Sequence, residues 1–114
     1  MKNGKGYRLR DLSNVTLEPI SYYMKPFNDQ NYPGMGMHTH PYFEIMYSNS
    51  GHFILEIFDE KKQPNLTRVT VSAGQFVVLD SFTFHRLVLD KGKPSFIYNV
   101  EYMPRPAHEY NPFG

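Results

Sequence analysis

Apolar residues in this chain arrive in short runs of β-branched and aromatic types, and over no window of a dozen do they recur at the three-and-four spacing of an amphipathic helix. That pattern predicts strands. Eight are expected, over residues 20–25, 35–38, 42–48, 52–59, 66–71, 76–79, 84–90 and 95–103. Turn-forming residues punctuate them: Asn31-Tyr32-Pro33-Gly34, Asn49-Ser50-Gly51, Gln63-Pro64-Asn65, Ser72-Ala73-Gly74 and Lys91-Gly92-Lys93-Pro94. Gly51 is suited to the positive φ that closes a hairpin between two strongly apolar strands. Many short strands at this spacing predict an all-β sandwich or barrel, an architecture that leaves few strand edges open. The aromatic residues, among them Tyr47, Phe58, Phe76, Phe84, Phe96, Tyr98 and Tyr102, are expected mostly as core filler.

The ends read differently. Residues 1–18 are expected as an N-terminal arm, 19–103 as the folded domain and 104–114 as a Pro-rich tail, because prolines cannot donate to a strand ladder. With 114 residues the chain has room for one core, and 40% apolar residues against 20% charged ones argue that the core forms.

Twelve basic and eleven acidic side chains leave a net charge of +1, with no basic cluster larger than the pair Lys61-Lys62, so contact of this chain itself with nucleic acid is not expected. The absence of cysteine excludes disulfides, thiolate zinc sites and cysteine nucleophiles. No apolar run approaches the roughly 20 residues of a membrane span, and the first residues lack a signal-peptide pattern; a cytoplasmic location is expected. No phosphate-binding Gly-rich loop or nucleophile elbow is present either.

One cluster carries chemistry. On a strand, His38, His40 and Glu44 share a parity and meet on one face, provided the strand runs through Pro41 without a bulge. Imidazoles with a carboxylate suit Zn, Fe, Mn, Ni or Cu. Glu44 is the lone charge in an otherwise apolar stretch, where a carboxylate needs a hydrogen-bond partner or a metal. His85 is a fourth candidate, sharing a face with Leu87 and Leu89, while Tyr42 and Met46 have the parity to line the same pocket. His52, Arg86 and His108 are set aside. The cluster reads either as the polar wall of a ligand pocket or as a metal site on His38, His40, Glu44 and His85.

His38-Thr39-His40-Pro41-Tyr42-Phe43-Glu44, followed after six residues by Gly51, resembles the first motif of the cupins. Gly74 and His85 occupy places of the second motif, whereas Asp80, Phe82 and Leu89 stand where Pro, Gly and Asn are expected. The resemblance covers about residues 19–103 and implies a jelly-roll barrel of about eight antiparallel strands. Within cupins the wording is similar to the N-terminal sensor domains of AraC-type bacterial transcription regulators, through residues 38–51, 73–79 and 84–87.

That likeness implies a non-enzymatic domain that binds a small polar effector, such as a sugar, and forms a homodimer. DNA contact would then belong to a C-terminal helix-turn-helix region that this chain does not contain. The alternative is a metal-dependent cupin enzyme of isomerase or dioxygenase type that uses the same His/His/Glu/His set.

Overall fold

A computed structural model describes residues 15–28, 30–32, 34–90 and 93–106. Seven strands form: β1 (Val15–Phe27), β2 (Phe43–Ser50), β3 (His52–Phe58), β4 (Leu66–Ser72), β5 (Phe76–Leu79), β6 (Phe84–Val88) and β7 (Ser95–Pro106). They pair antiparallel in two sheets, a four-stranded one of order β1-β7-β2-β5 and a three-stranded one of order β4-β3-β6. From β3 onward the chain alternates between the sheets every one or two strands, so the all-β, double-sheet expectation holds. No helix among the described residues is long and apolar enough to cross a membrane.

The core lies between the sheets and is closed by Phe27, Met46, Phe53, Leu55, Val71, Leu79, Leu87 and Ile97, all buried. The hairpin expected at Gly51 is instead a crossover: β2 and β3 lie in different sheets and do not pair with each other. Gly51 in that connection has φ +70°, and a Cβ there would sit 2.3 Å from the Pro94 carbonyl oxygen. Glycine is therefore required at this position twice over, by its backbone conformation and by the close approach of the segment entering β7.

Three further expectations change. Residues 35–38 are not a strand: only His38 pairs, as an isolated bridge to His85, because glycines at 34 and 36 and Pro41 deny the segment a regular ladder. The expected boundaries at 19 and 103 fall inside β1 and β7, whose pairing runs from Phe27↔Ser95 to Val15↔Pro106. Proline is tolerated in that stretch because β2 pairs with β7 only as far as Phe43↔Tyr102, so beyond Tyr102 one side of β7 has no neighbour awaiting an N–H. Residues 1–14 of the expected arm and 107–114 of the expected tail, His108 included, lie outside the described residues.

The third change concerns the aromatics. Of those expected as core filler only Phe43 and Phe53 are buried, while Phe58, Phe76, Phe82 and Phe84 are exposed and Tyr47, Phe96, Tyr98 and Tyr102 half-buried. The register gives the reason. In β2 the inward positions are Glu44, Met46 and Ser48, and in β7 they are Ile97, Asn99 and Glu101, so alternation turns the rings outward.

Candidate metal and ligand site

Two sheets and one irregular segment supply the site. The His38 backbone exchanges two hydrogen bonds with His85 of β6, N to O at 3.0 Å and O to N at 2.9 Å, which fixes both histidines side by side at the edge of the three-stranded sheet. His40 lies two residues on, and its carbonyl accepts the Phe82 N–H at 2.8 Å. Glu44 enters from β2 of the opposite sheet, and Asn99 and Glu101 from the neighbouring β7.

The imidazoles pack together, with ring centroids 4.5 Å apart for His38 and His85 and 5.2 Å apart for His40 and His85. One nitrogen from each of His38, His40 and His85 lies within 4.8 Å of the others, and the same holds for His40 with carboxylate oxygens of Glu44 and Glu101. A tetrahedral ion at about 2.1 Å from each nitrogen requires separations of roughly 3.4 Å, so small rotations of these rings bring them into coordination range.

Glu44 is the electrostatic centre. It is 5% exposed, and its Oε1 lies 3.1 Å from His40 Nε2 and 3.1 Å from His85 Nε2. Its Oε2 accepts a hydrogen bond from Asn99 Nδ2 at 2.8 Å. Burial by itself would raise its pKa, but hydrogen bonds and charge from His40 and His85 outweigh that and hold it at about 2. The hydrogen bond to Glu44 in turn raises the His40 pKa against the opposing effect of burial.

His85 shows what the cluster demands. Its Nδ1 is 2.7 Å from the Thr83 carbonyl oxygen and its Nε2 faces the Glu44 carboxylate. Both partners only accept, a setting that suits coordination of a cation through Nε2 while Nδ1–H is held by the carbonyl. Binding of Nδ1–H to a backbone carbonyl is the arrangement that orients metal-ligating histidines, and His38 repeats it, with Nδ1 3.1 Å from the Gly36 oxygen. His40 Nδ1 and Asn99 Oδ1 are buried with no hydrogen-bond partner among the described residues. The donor set and these orphaned atoms fit a divalent transition metal.

A cavity of about 50 Å3 adjoins the cluster, lined by His38, Glu44, Met46 and His85 together with Tyr23, Phe27, Tyr32, Met35, Leu55 and Leu87. That is room for an ion and a few waters or one very small ligand, well below the roughly 300 Å3 at which pockets for drug-sized molecules begin. Burial raises the phenol pKa of both Tyr23 and Tyr32 to about 12, so these rings stay neutral.

Of the six candidates read from the sequence, His38, His40, Glu44, Met46 and His85 converge here. Tyr42 stands beside them, stacked on His40 with centroids 4.9 Å apart, and does not line the cavity. Sequence reasoning missed Asn99 and Glu101. An Asn was sought at position 89, yet the amide that reaches Glu44 comes from β7; the available signal was the polar pair at alternate positions within the aromatic run 96–102. Of the residues set aside, His52 pairs with Asp90 at 2.9 Å and Arg86 with Glu56.

Phe82, where the resemblance leads one to expect glycine, adopts φ +61°, the left-handed region that costs a residue with a side chain about 1–2 kcal/mol. The turn thus takes a left-handed conformation without a glycine, and the Phe82 N–H is bonded to the His40 carbonyl.

No protein-family profile matches the sequence, and no characterised protein matches it closely enough to count as a relative. Solved structures do match in fold. The cupin domain of Drosophila melanogaster CENP-C superposes with a TM-score of 0.58 at 11% identity, over 76% of this chain and 74% of that one. Lactobacillus farciminis oxalate decarboxylase, in a formate complex, gives 0.58 at 16% identity over 91% of this chain and 36% of that one. An oxalate oxidase holding the substrate analogue glycolate gives 0.54 at 17% identity over 89% and 57%. At these identities the likeness speaks for architecture, and with the antiparallel double sheet described above it shows that this chain has the cupin jelly-roll fold.

Proposed function

We propose that this cupin domain holds a divalent transition-metal ion on His38, His40, His85 and Glu44 and through it captures a small polar ligand. The observation that carries the reading is His85, buried with an acceptor at each ring nitrogen, in van der Waals company with two further histidines. A bound ion would supply a Lewis-acidic position for a ligand oxygen. The chain's own residues do the rest. Gly36 and Thr83 carbonyls orient the His38 and His85 rings, Asn99 holds the Glu44 carboxylate, and Tyr23, Phe27 and Leu55 keep the cavity narrow.

The cavity size favours a ligand of a few heavy atoms over a sugar. Formate and glycolate, present in two of the similar structures, illustrate small carboxylates of that scale. The test is metal analysis of protein stripped by a chelator and reloaded with Zn, Mn, Fe or Ni. One equivalent per chain is expected, with loss in His85→Ala and His40→Ala. Folded protein that takes up no metal overturns the reading.

The likeness of residues 73–79 and 84–87 to AraC-type sensor domains supports capture as a signal rather than as a reaction. On that reading the ligand is recovered unchanged after incubation with the metal-loaded protein. Consumption of a small carboxylate at more than one equivalent per chain would instead establish the enzyme alternative.

A further inference from the structure

Glu101 stands beside the four candidate ligands without being one of them. The register places Ser21, Glu101 and Glu44 in one row across β1, β7 and β2, so their side chains share the inner face of the four-stranded sheet. Two carboxylates directly opposite each other on neighbouring strands repel, and such a pair is destabilising unless a cation stands between them. The basic group they share is His40, whose Nε2 lies 3.1 Å from Glu44 Oε1 and 3.8 Å from Glu101 Oε2. A divalent ion held among these groups balances both carboxylates and leaves the imidazoles neutral, as ligation requires.

The carboxylate is also aimed. Ser21 Oγ donates to Glu101 Oε1 at 2.5 Å, which holds the group from its exposed side while Oε2 faces His40. Ligand atoms of His40, Glu44 and Glu101 lie within 4.8 Å of one another, as do those of His38, His40 and His85, and His40 joins the two sets. His38, Glu44 and His85 line the cavity, whereas His40 and Glu101 do not. Glu101 therefore reaches the ligand set from outside the cavity.

We infer that Glu101 is a fifth ligand of the ion, closing the coordination position outside the cavity and leaving one position, on the cavity side, for the small ligand. The inference rests on the metal reading above and adds to it a choice of ion. Four donors, the three imidazoles and Glu44, already satisfy tetrahedral zinc. A further carboxylate oxygen with one open position completes an octahedron, the geometry and donor type that suit manganese. Glu101 thus favours Mn(II) relative to Zn(II), against the general order in which zinc binds more tightly. With a single position open, a carboxylate ligand binds the ion through one oxygen.

The experiment is calorimetric titration of the chelator-stripped full chain with Mn(II) and, separately, with Zn(II), in wild type, Glu101→Gln and Glu101→Asp. Glutamine keeps the side-chain length and lets Ser21 donate to its amide oxygen; aspartate keeps the charge and withdraws the carboxylate by one methylene. The Glu101 side chain is 22% exposed against 7% for Glu44, so both variants are expected to retain the wild-type far-UV circular dichroism.

Wild type is expected to bind one equivalent of either ion. Removal of a group that only supports a ligand costs about 10–100-fold in metal affinity, and costs it for both ions alike. Removal of a ligand that Mn(II) uses and Zn(II) does not should shift the ratio of the two affinities towards Zn(II) by about tenfold or more, in both variants. A ratio unchanged in Glu101→Gln, or one that Glu101→Asp returns to the wild-type value, overturns the inference and leaves the ion on His38, His40, His85 and Glu44. Wild-type protein that takes up neither ion overturns the metal reading and this inference with it.

Discussion

The two sheets of this domain carry opposite polarity. In the three-stranded sheet the inward positions are Phe53, Leu55, Val71 and Leu87, and the outward ones include the cross-strand row Arg68–Glu56–Arg86. In the four-stranded sheet the polar side chains of Glu44, Ser48, Asn99 and Glu101 point in, and Tyr22, Tyr47, Phe76 and Tyr98 point out. One sheet is an ordinary half-buried sheet; the other sets its inward polar groups among the core residues Phe27, Met46, Leu79 and Ile97 and turns an uncharged aromatic row outward. A polar inner face is costly unless its groups satisfy one another or bind something, and an apolar outer face is costly unless something covers it. The inward polar groups thus place the candidate site within the four-stranded sheet's inner face.

Four substitutions sharpen that contrast. The largest effect is expected on the apolar inner face: Leu55→Ala should cost about 2–5 kcal/mol of unfolding free energy in denaturant titration, because Leu55 is fully buried against the core cluster. Gly51→Ala should follow at about 2 kcal/mol, since the turn that carries the chain from one sheet to the other requires a positive φ and has no space for a Cβ. Glu56→Ala should cost only about 1 kcal/mol, as Arg68 and Arg86 can turn to water once their partner is gone. Phe82→Gly should be stabilising by up to about 1 kcal/mol through relief of the left-handed φ; a loss of stability would mean that the ring contributes more by packing than its backbone costs.

Acidity probes the polar site on the inner face of the four-stranded sheet. Glu44, held at about 2 in the folded chain, contributes stability above its ordinary value of 4.5 that is lost as pH falls from there towards 2. His40, raised from 6.5 by the hydrogen bond to Glu44, contributes stability below 6.5 that is lost as pH rises through its higher folded value. Metal-free protein should therefore be most stable between these limits, about pH 4.5 to 6.5, and Glu44→Gln should flatten the profile by removing both shifts. A profile identical in wild type and Glu44→Gln would remove Glu44 as the electrostatic centre.

Much of the fold was legible because runs of β-branched and aromatic residues end at turn chemistry that can be named residue by residue, as at Gly51 and Gly74. His38, His40 and Glu44 were legible through spacing, although the regular strand assumed for residues 35–38 reduces to one bridge; the backbone pair with His85 does the positioning that a strand was expected to do. Face assignment was not legible. Alternation has a period of two and is symmetric, so it sorts the residues of β7 into two sets without saying which set faces in. The default that apolar residues point inward then misplaced Tyr47, Phe76 and Tyr98 and hid Asn99 and Glu101. Asn99 meets Glu44 across 55 residues of sequence, a pairing that only the sheet order reveals.

The inward polar face of the four-stranded sheet is the central claim, and the direct measurement is the melting of chelator-stripped protein titrated with a divalent transition metal. At about 100 times its dissociation constant the ion should add roughly 2.7 kcal/mol of stability to the wild-type chain. His85→Ala and Glu44→Gln, each compared with its own metal-free melting, should show little or none of it. Melting that no such metal shifts, or that shifts equally in wild type and His85→Ala, would contradict the account.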